Sequence, residues 1–188
     1  MSRPLLVPGA LALCLLLSTP ALAAELAGVT LPERVEVDGT ALTLNGMALR
    51  SKMMFKVYVG GLYLPARESS WQQVLQQDAP RHMVMHWLRS VDKGAICEAW
   101  QDGLAANTPQ ASAEVQQGFA RLCDWMQDVR AGDRFAFTYL PGEGTRVAVA
   151  GKTRGTIAGK DFADALFASW IGPRPGPGEG FRDDLMGQ

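Results

Sequence analysis

Arg50 and Tyr58 are the two residues whose types suit one piece of chemistry. A guanidinium is a planar fork of donors that keeps its charge, suited to a carboxylate or a developing phenolate. A phenol adds one more hydrogen bond to the same anion. On one unbroken strand the pair would lie about 27 Å apart at ~3.3 Å per residue, too far to grip one small ligand. A shared site therefore requires a turn near Ser51 and Lys52. Each residue also has a plainer role open to it. Arg50 reads equally as a solvated charge at a strand end, and Tyr58 as amphipathic packing on a strand's polar side.

Other chemistry-bearing residues lead less far. His82 and His86 would share a metal on a helix, where i and i+4 face the same way. On a strand they are about 13 Å apart, so they read as structural or surface histidines and no metal site is expected. Gly151-Lys152-Thr153 ends like a phosphate loop, but Arg146 stands where the pattern needs glycine. Gly142-x-Gly144 lacks the third glycine of a dinucleotide site. No cofactor is expected. Nothing surrounds the cysteines that marks a nucleophile. With Cys14 in a leader, Cys97 and Cys123 read either as one disulfide or as two separately buried thiols.

The elements around the pair follow from periodicity. From Met53 the odd positions Met53, Phe55, Val57, Val59 and Tyr63 are apolar, predicting a strand with one buried face within Leu42 to Leu64. Asp38-Gly39 between Arg34–Val37 and Ala41–Leu44 predicts a hairpin. A short helix capped by Ser69 or Ser70 is expected over Trp71–Gln77, and a strand over His82–Val91. Asp92 caps a helix with an Ile96, Trp100 and Leu104 stripe. Thr108-Pro109 opens another helix, whose seam is Val115, Phe119, Leu122, Met126 and Val129. Phe135–Leu140, Arg146–Ala150 and Thr153–Ala158 read as strands. Asp161 starts a last helix closed by Gly172-Pro173, and a Pro/Gly linker leads to a terminal turn. Strands before and after a helical centre indicate an α+β fold.

The N-terminus reads as a secretory signal over 1–23: Arg3, the apolar Ala10–Leu17 run and a small-x-small Ala21-Leu22-Ala23 site. Cleavage after Ala23 or Ala24 would leave one domain from about residue 24 to 188, soluble outside the cytoplasm, with no stable membrane anchor. Without Arg3, 17 basic residues face 19 acidic ones, a balance that excludes a nucleic-acid footprint.

Two stretches carry a family resemblance. Asn45-Gly46-Met47-Ala48-Leu49-Arg50 with Phe55-Lys56-Val57-Tyr58-Val59-Gly60-Gly61-Leu62-Tyr63-Leu64 resembles the chalcone isomerase-like family, most closely its secreted bacterial branch. So does Gly155-Thr156-Ile157-x-Gly159-x-Asp161-Phe162-Ala163-x-Ala165-Leu166-Phe167, followed by Trp170-Ile171-Gly172. The resemblance implies an open-faced β-sandwich, a large antiparallel sheet with helices layered on one face and a cleft between them. In the family's enzymes an arginine where Arg50 stands stabilises the phenolate of a chalcone during ring closure. A threonine helps polarise the ketone where this chain has Tyr58. A further tyrosine and asparagine would fall within Asp92–Gln101, which has neither. In non-catalytic relatives that bind fatty acids, an arginine and a tyrosine at these positions hold the carboxylate. The resemblance thus implies an apolar-anion binder, with Arg50 as clamp and Tyr58 as its partner. The alternatives are an intramolecular lyase using Arg50 and a structural or partner-binding module whose cleft is filled by its own side chains.

Overall fold

A computed structural model describes residues 23–188. The expected signal segment, apart from its last residue, lies outside the described residues. A hairpin not expected from the sequence comes first. β1 (Ala23–Leu26) pairs with β2 (Val29–Pro32) through Ala27 and Gly28. Both turn residues have positive φ, 51° and 81°, the tight turn whose twist matches paired strands.

A seven-stranded antiparallel meander follows in chain order: β3 (Arg34–Val37), β4 (Thr40–Lys52), β5 (Phe55–Leu64), β6 (Arg81–Trp87), β7 (Arg134–Leu140), β8 (Gly144–Val149) and β9 (Lys152–Ile157). The sheet is curled, with five helices packed on one side, and the fold is α+β, as expected. α1 (Trp71–Gln76) connects β5 to β6, while α2 (Lys93–Asn107) and α3 (Ala113–Trp125) connect β6 to β7. α4 (Lys160–Ile171) and α5 (Glu179–Leu185) close the chain.

The local signals for helix starts mostly hold. Ser70 accepts from the Gln73 amide and Asp92 from the Ala95 amide. Thr108 does not start α3; its N–H instead closes α2 by donating to the Leu104 carbonyl, and Ser112 caps α3 by accepting from Val115. Met126 and Val129 are buried as the seam required, but both lie beyond the end of α3. β6 also stops earlier than expected, because Val91 leaves its sheet line to bridge Val129. The glycine runs Gly142 to Gly144 and Gly151-Lys152 fall at hairpin ends between β7, β8 and β9.

Two apolar layers sandwich the sheet. The larger joins the helical side of the strands to Ile96, Trp100, Phe119, Phe162, Leu166 and Trp170 on the helices. The smaller, with Val29, Leu31, Leu42, Leu44, Val59 and Tyr63, lies under the β1–β2 hairpin. Thus Val59 and Tyr63 do share a buried face, but Val57 does not join them. A bulge between Arg50 and Ser51 leaves Val57 without a partner, since Arg50 pairs with Tyr58 and Ser51 with Lys56. One extra residue flips the facing of everything beyond it. The alternation read from Met53 therefore breaks at Val57. Met53 and Phe55 are exposed, and Tyr58, expected on the polar side, is buried.

Candidate functional site

The chain does turn between Arg50 and Tyr58, two residues later than Ser51-Lys52. Lys52 pairs with Phe55, so Met53 and Met54 make the reversal. Arg50 and Tyr58 become direct cross-strand partners. Directly opposed side chains in an antiparallel pair share a face, with Cβ atoms about 5 Å apart. Both line one cleft between the sheet and α2, α4 and the segment 172–178, with a volume of about 340 Å³.

Each wall has a local cause. Asp92 starts α2 so that Ile96 and Trp100, one turn apart, face the sheet. Gly103 lets α4 approach, since a Cβ there would sit 2.6 Å from the Ser169 hydroxyl. This proximity brings Trp100 and Trp170 edge to face at 5.2 Å. β6 contributes Met85 and Trp87 on its helical side. Trp87 packs its ring 5.3 Å from Tyr58, and Phe181 of α5 packs 5.7 Å from Tyr58 on another side.

The segment read as a Pro/Gly linker is a strap pinned along its length. Asn107 bonds both the amide and the carbonyl of Arg174, the Gly176 amide donates to the Ser169 carbonyl at 2.9 Å, and Arg50 Nη1 donates to the Pro177 carbonyl at 2.8 Å. Gly176 and Pro177 form part of the cleft wall.

Electrostatically the cleft has a cation beside a proton-bearing phenol. Burial pushes the Tyr58 phenol well above its usual range, and the nearby Arg50 charge and Trp170 only partly oppose this. Tyr58 is therefore a neutral donor at physiological pH. Two further donors stand in the walls: the indole N–H groups of Trp87 and Trp100 are buried without a hydrogen-bond partner among the described residues. A buried unpaired donor costs about 1–3 kcal/mol. Glu98 and Asp102 of α2 bring carboxylates to the same cleft from the opposite side.

Sequence reasoning missed Trp87, Trp100 and Trp170 as cleft residues; each reads only as core in its own helix or strand, and no local spacing links them. It also missed Arg81, which is 1% exposed and bonds Asp164 at 2.6 Å and the Val74 carbonyl at 3.2 Å. Arg81 lies over the rings of Tyr139 and Phe167, a buried strut outside the cleft.

The other sequence candidates lie elsewhere. His82 contacts Thr138 Oγ1 at 2.7 Å and His86 accepts from Arg134 Nε at 3.2 Å, both on the sheet face away from the helices. Among the described residues no cluster of three or more His, Cys, Asp or Glu could hold a metal ion. Cys97 and Cys123 meet across α2 and α3, so they are not separately buried. No bridge joins them. Both are free thiols, and Cys97 Sγ donates to the Cys123 carbonyl at 3.6 Å. Burial and the adjacent Cys97 push the Cys123 thiol up to about 12.

The Chalcone isomerase-like family model matches residues 23–187. The chain belongs to the chalcone isomerase-like family. Among solved structures it is similar to a fatty-acid binding protein of Arabidopsis thaliana, at 16% identity and a TM-score of 0.69, covering 88% of this chain and 96% of that one. No curated protein sequence matches the chain. α2 presents Ala95, Ile96, Glu98, Ala99, Trp100 and Asp102 to the cleft, none bearing a phenol or an amide.

Proposed function

We propose that the cleft binds a small apolar anion, with a fatty acid as the ligand class, and that the protein does so without catalysis. Arg50 and Tyr58 hold the head group, and the aromatic and aliphatic wall takes the tail. The observation that carries this reading is the cross-strand pairing of Arg50 with Tyr58 on the wall of one ligand-sized cleft. A carboxylate there gains charge-assisted bonds from the guanidinium and a neutral donor from Tyr58. Its volume sits at the lower end of the range for small-molecule sites, and its lining is more apolar than polar. The cleft is not filled by its own side chains, which disfavours the structural-module reading. The Arabidopsis neighbour, a fatty-acid binding protein, supports the same ligand class.

The N-terminal residues support a further part of the reading, that this is a secreted, periplasmic protein of the family's bacterial branch. The protein then meets its ligand outside the cytoplasm.

Native mass spectrometry of the purified protein, followed by extraction of bound material, tests the proposal. A co-purifying long-chain carboxylate is expected, lost in Arg50→Ala and reduced in Tyr58→Phe. Charge-assisted bonds of about 1.5–3 kcal/mol correspond to a loss of roughly ten- to hundredfold in affinity. Conversion of a chalcone to a flavanone, abolished by Arg50→Ala, would overturn the non-catalytic reading. Failure to take up any fatty acid would overturn the ligand class.

A further inference from the structure

The β4–β5 hairpin ends in a patch that the ligand site does not use. Met53 and Met54 form its turn and are 90% and 94% exposed, and Phe55 beside them is 57% exposed. These three are the exposed large hydrophobics among the described residues. Contiguous apolar exposure of this kind marks a contact site. Turn stability alone does not account for it: Met53 has φ 57°, a left-handed conformation that glycine or asparagine adopts at less cost.

The charges carried by the hairpin itself have one sign, while Glu98 and Asp102 stand on α2 in the cleft that Lys52 also lines. Arg50, Lys52 and Lys56 lie in a run with no acidic residue before Glu68, and the Arg89 guanidinium sits 4.7 Å over the Phe55 ring. On a chain of formal net charge −1, this end is basic. Apolar side chains at the apex with cations at their base match the layering of a bilayer surface. The methionines and phenylalanine reach the acyl boundary while lysine and arginine stay with the headgroups. Anionic headgroups add electrostatic attraction. A tip of three apolar residues fits a protein partner poorly, since a stable protein interface buries about 800 Å² per side. The patch is also continuous with the cleft, because Lys52 and Val57 flank the tip and line the cleft wall.

We propose that this tip docks the protein reversibly on an anionic lipid bilayer, with the cleft mouth turned toward the surface. Docking stands on the tip alone; exchange of an apolar anion between membrane and cleft rests on the function proposed above.

Co-sedimentation of the purified protein with phosphatidylcholine–phosphatidylglycerol vesicles, and with phosphatidylcholine vesicles, tests docking. Binding is expected to the anionic vesicles, weakening with salt and falling about tenfold or more in M53N/M54S. Asparagine accepts the left-handed conformation at 53, so this variant keeps the hairpin. Lys56→Glu should weaken binding to anionic vesicles while retaining the fold. Wild-type protein that binds neither vesicle, or M53N/M54S that binds as wild type does, overturns the proposal. So does a dimer in sedimentation equilibrium that M53N/M54S dissociates, without vesicle binding in either protein. Titration with a soluble fatty acid in the absence of vesicles reads the cleft separately. M53N/M54S should match wild type there, and a wild-type failure in that titration leaves the vesicle result standing.

Discussion

Arg50 commits one donor to the Pro177 carbonyl, which fixes where its fork points and leaves the rest of the guanidinium for an anion. Its partner Tyr58 remains protonated because burial disfavours the phenolate. A second titration belongs to the opposite face of the sheet. Burial, helped by the Arg146 charge, lowers the His82 pKa to about 4. Protons then bind the unfolded chain first, so stability contributed by neutral His82 is full above the ordinary value of 6.5 and is lost as pH falls toward about 4. Denaturant titrations should show about 1–3 kcal/mol lost across that window, and His82→Asn should flatten this part of the profile. An unchanged acid limb in the variant would show that His82 is not the group responsible. The Arg50–Tyr58 pair was legible because its chemistry shows in residue types and one turn brings the two together. The three tryptophans were not, since Trp87, Trp100 and Trp170 converge from β6, α2 and α4 only after folding.

Bulges explain most of what the elements do that alternation did not foretell. The irregularity between Arg50 and Ser51 turns Val57 to the helical side beside Tyr58, and another between Leu44 and Gly46 sets Asn45 apart. Asn45 uses it to bond the Leu185 carbonyl at 2.8 Å and both the carbonyl and the amide of Glu68 at 2.9 and 2.8 Å. That anchors α5, whose Phe181 rests on Gly60 and against Tyr58. The next residue allows the approach: a Cβ on Gly46 would lie 2.2 Å from the Asp184 carbonyl oxygen and 2.7 Å from that of Leu185. Gly46→Ala should therefore cost about 1–3 kcal/mol, measured as a lower denaturant midpoint at unchanged slope. A neutral result would mean that α5 is free to shift, and that its packing does not hold Tyr58 in place. Helix caps at Asp92 and the hairpin at Asp38-Gly39 were legible because each is a local signal. A bulge depends on the partner strand, so one strand's pattern cannot announce it.

At the scale of the molecule, the sheet separates two faces that are covered by different elements. The β1–β2 hairpin covers part of one face, and five helices cover the other while leaving a cleft near the β4–β5 end. The α+β architecture was legible from strands flanking a helical centre, and its particular layering from the resemblance. The exposed tip was misread as buried strand, because apolar residues at alternate positions look alike whether or not anything packs against them. Cleft and tip together put the proposed anion clamp close to the proposed membrane contact. The claim beneath this arrangement is that Arg50 recognises a carboxylate within apolar walls. Tryptophan fluorescence titration with a fatty acid and with the alcohol of equal chain length measures it most directly. The acid should bind wild type about tenfold or more tightly than the alcohol, and the two should bind Arg50→Ala alike. Equal affinities in wild type, or an acid preference that survives the loss of Arg50, would contradict it.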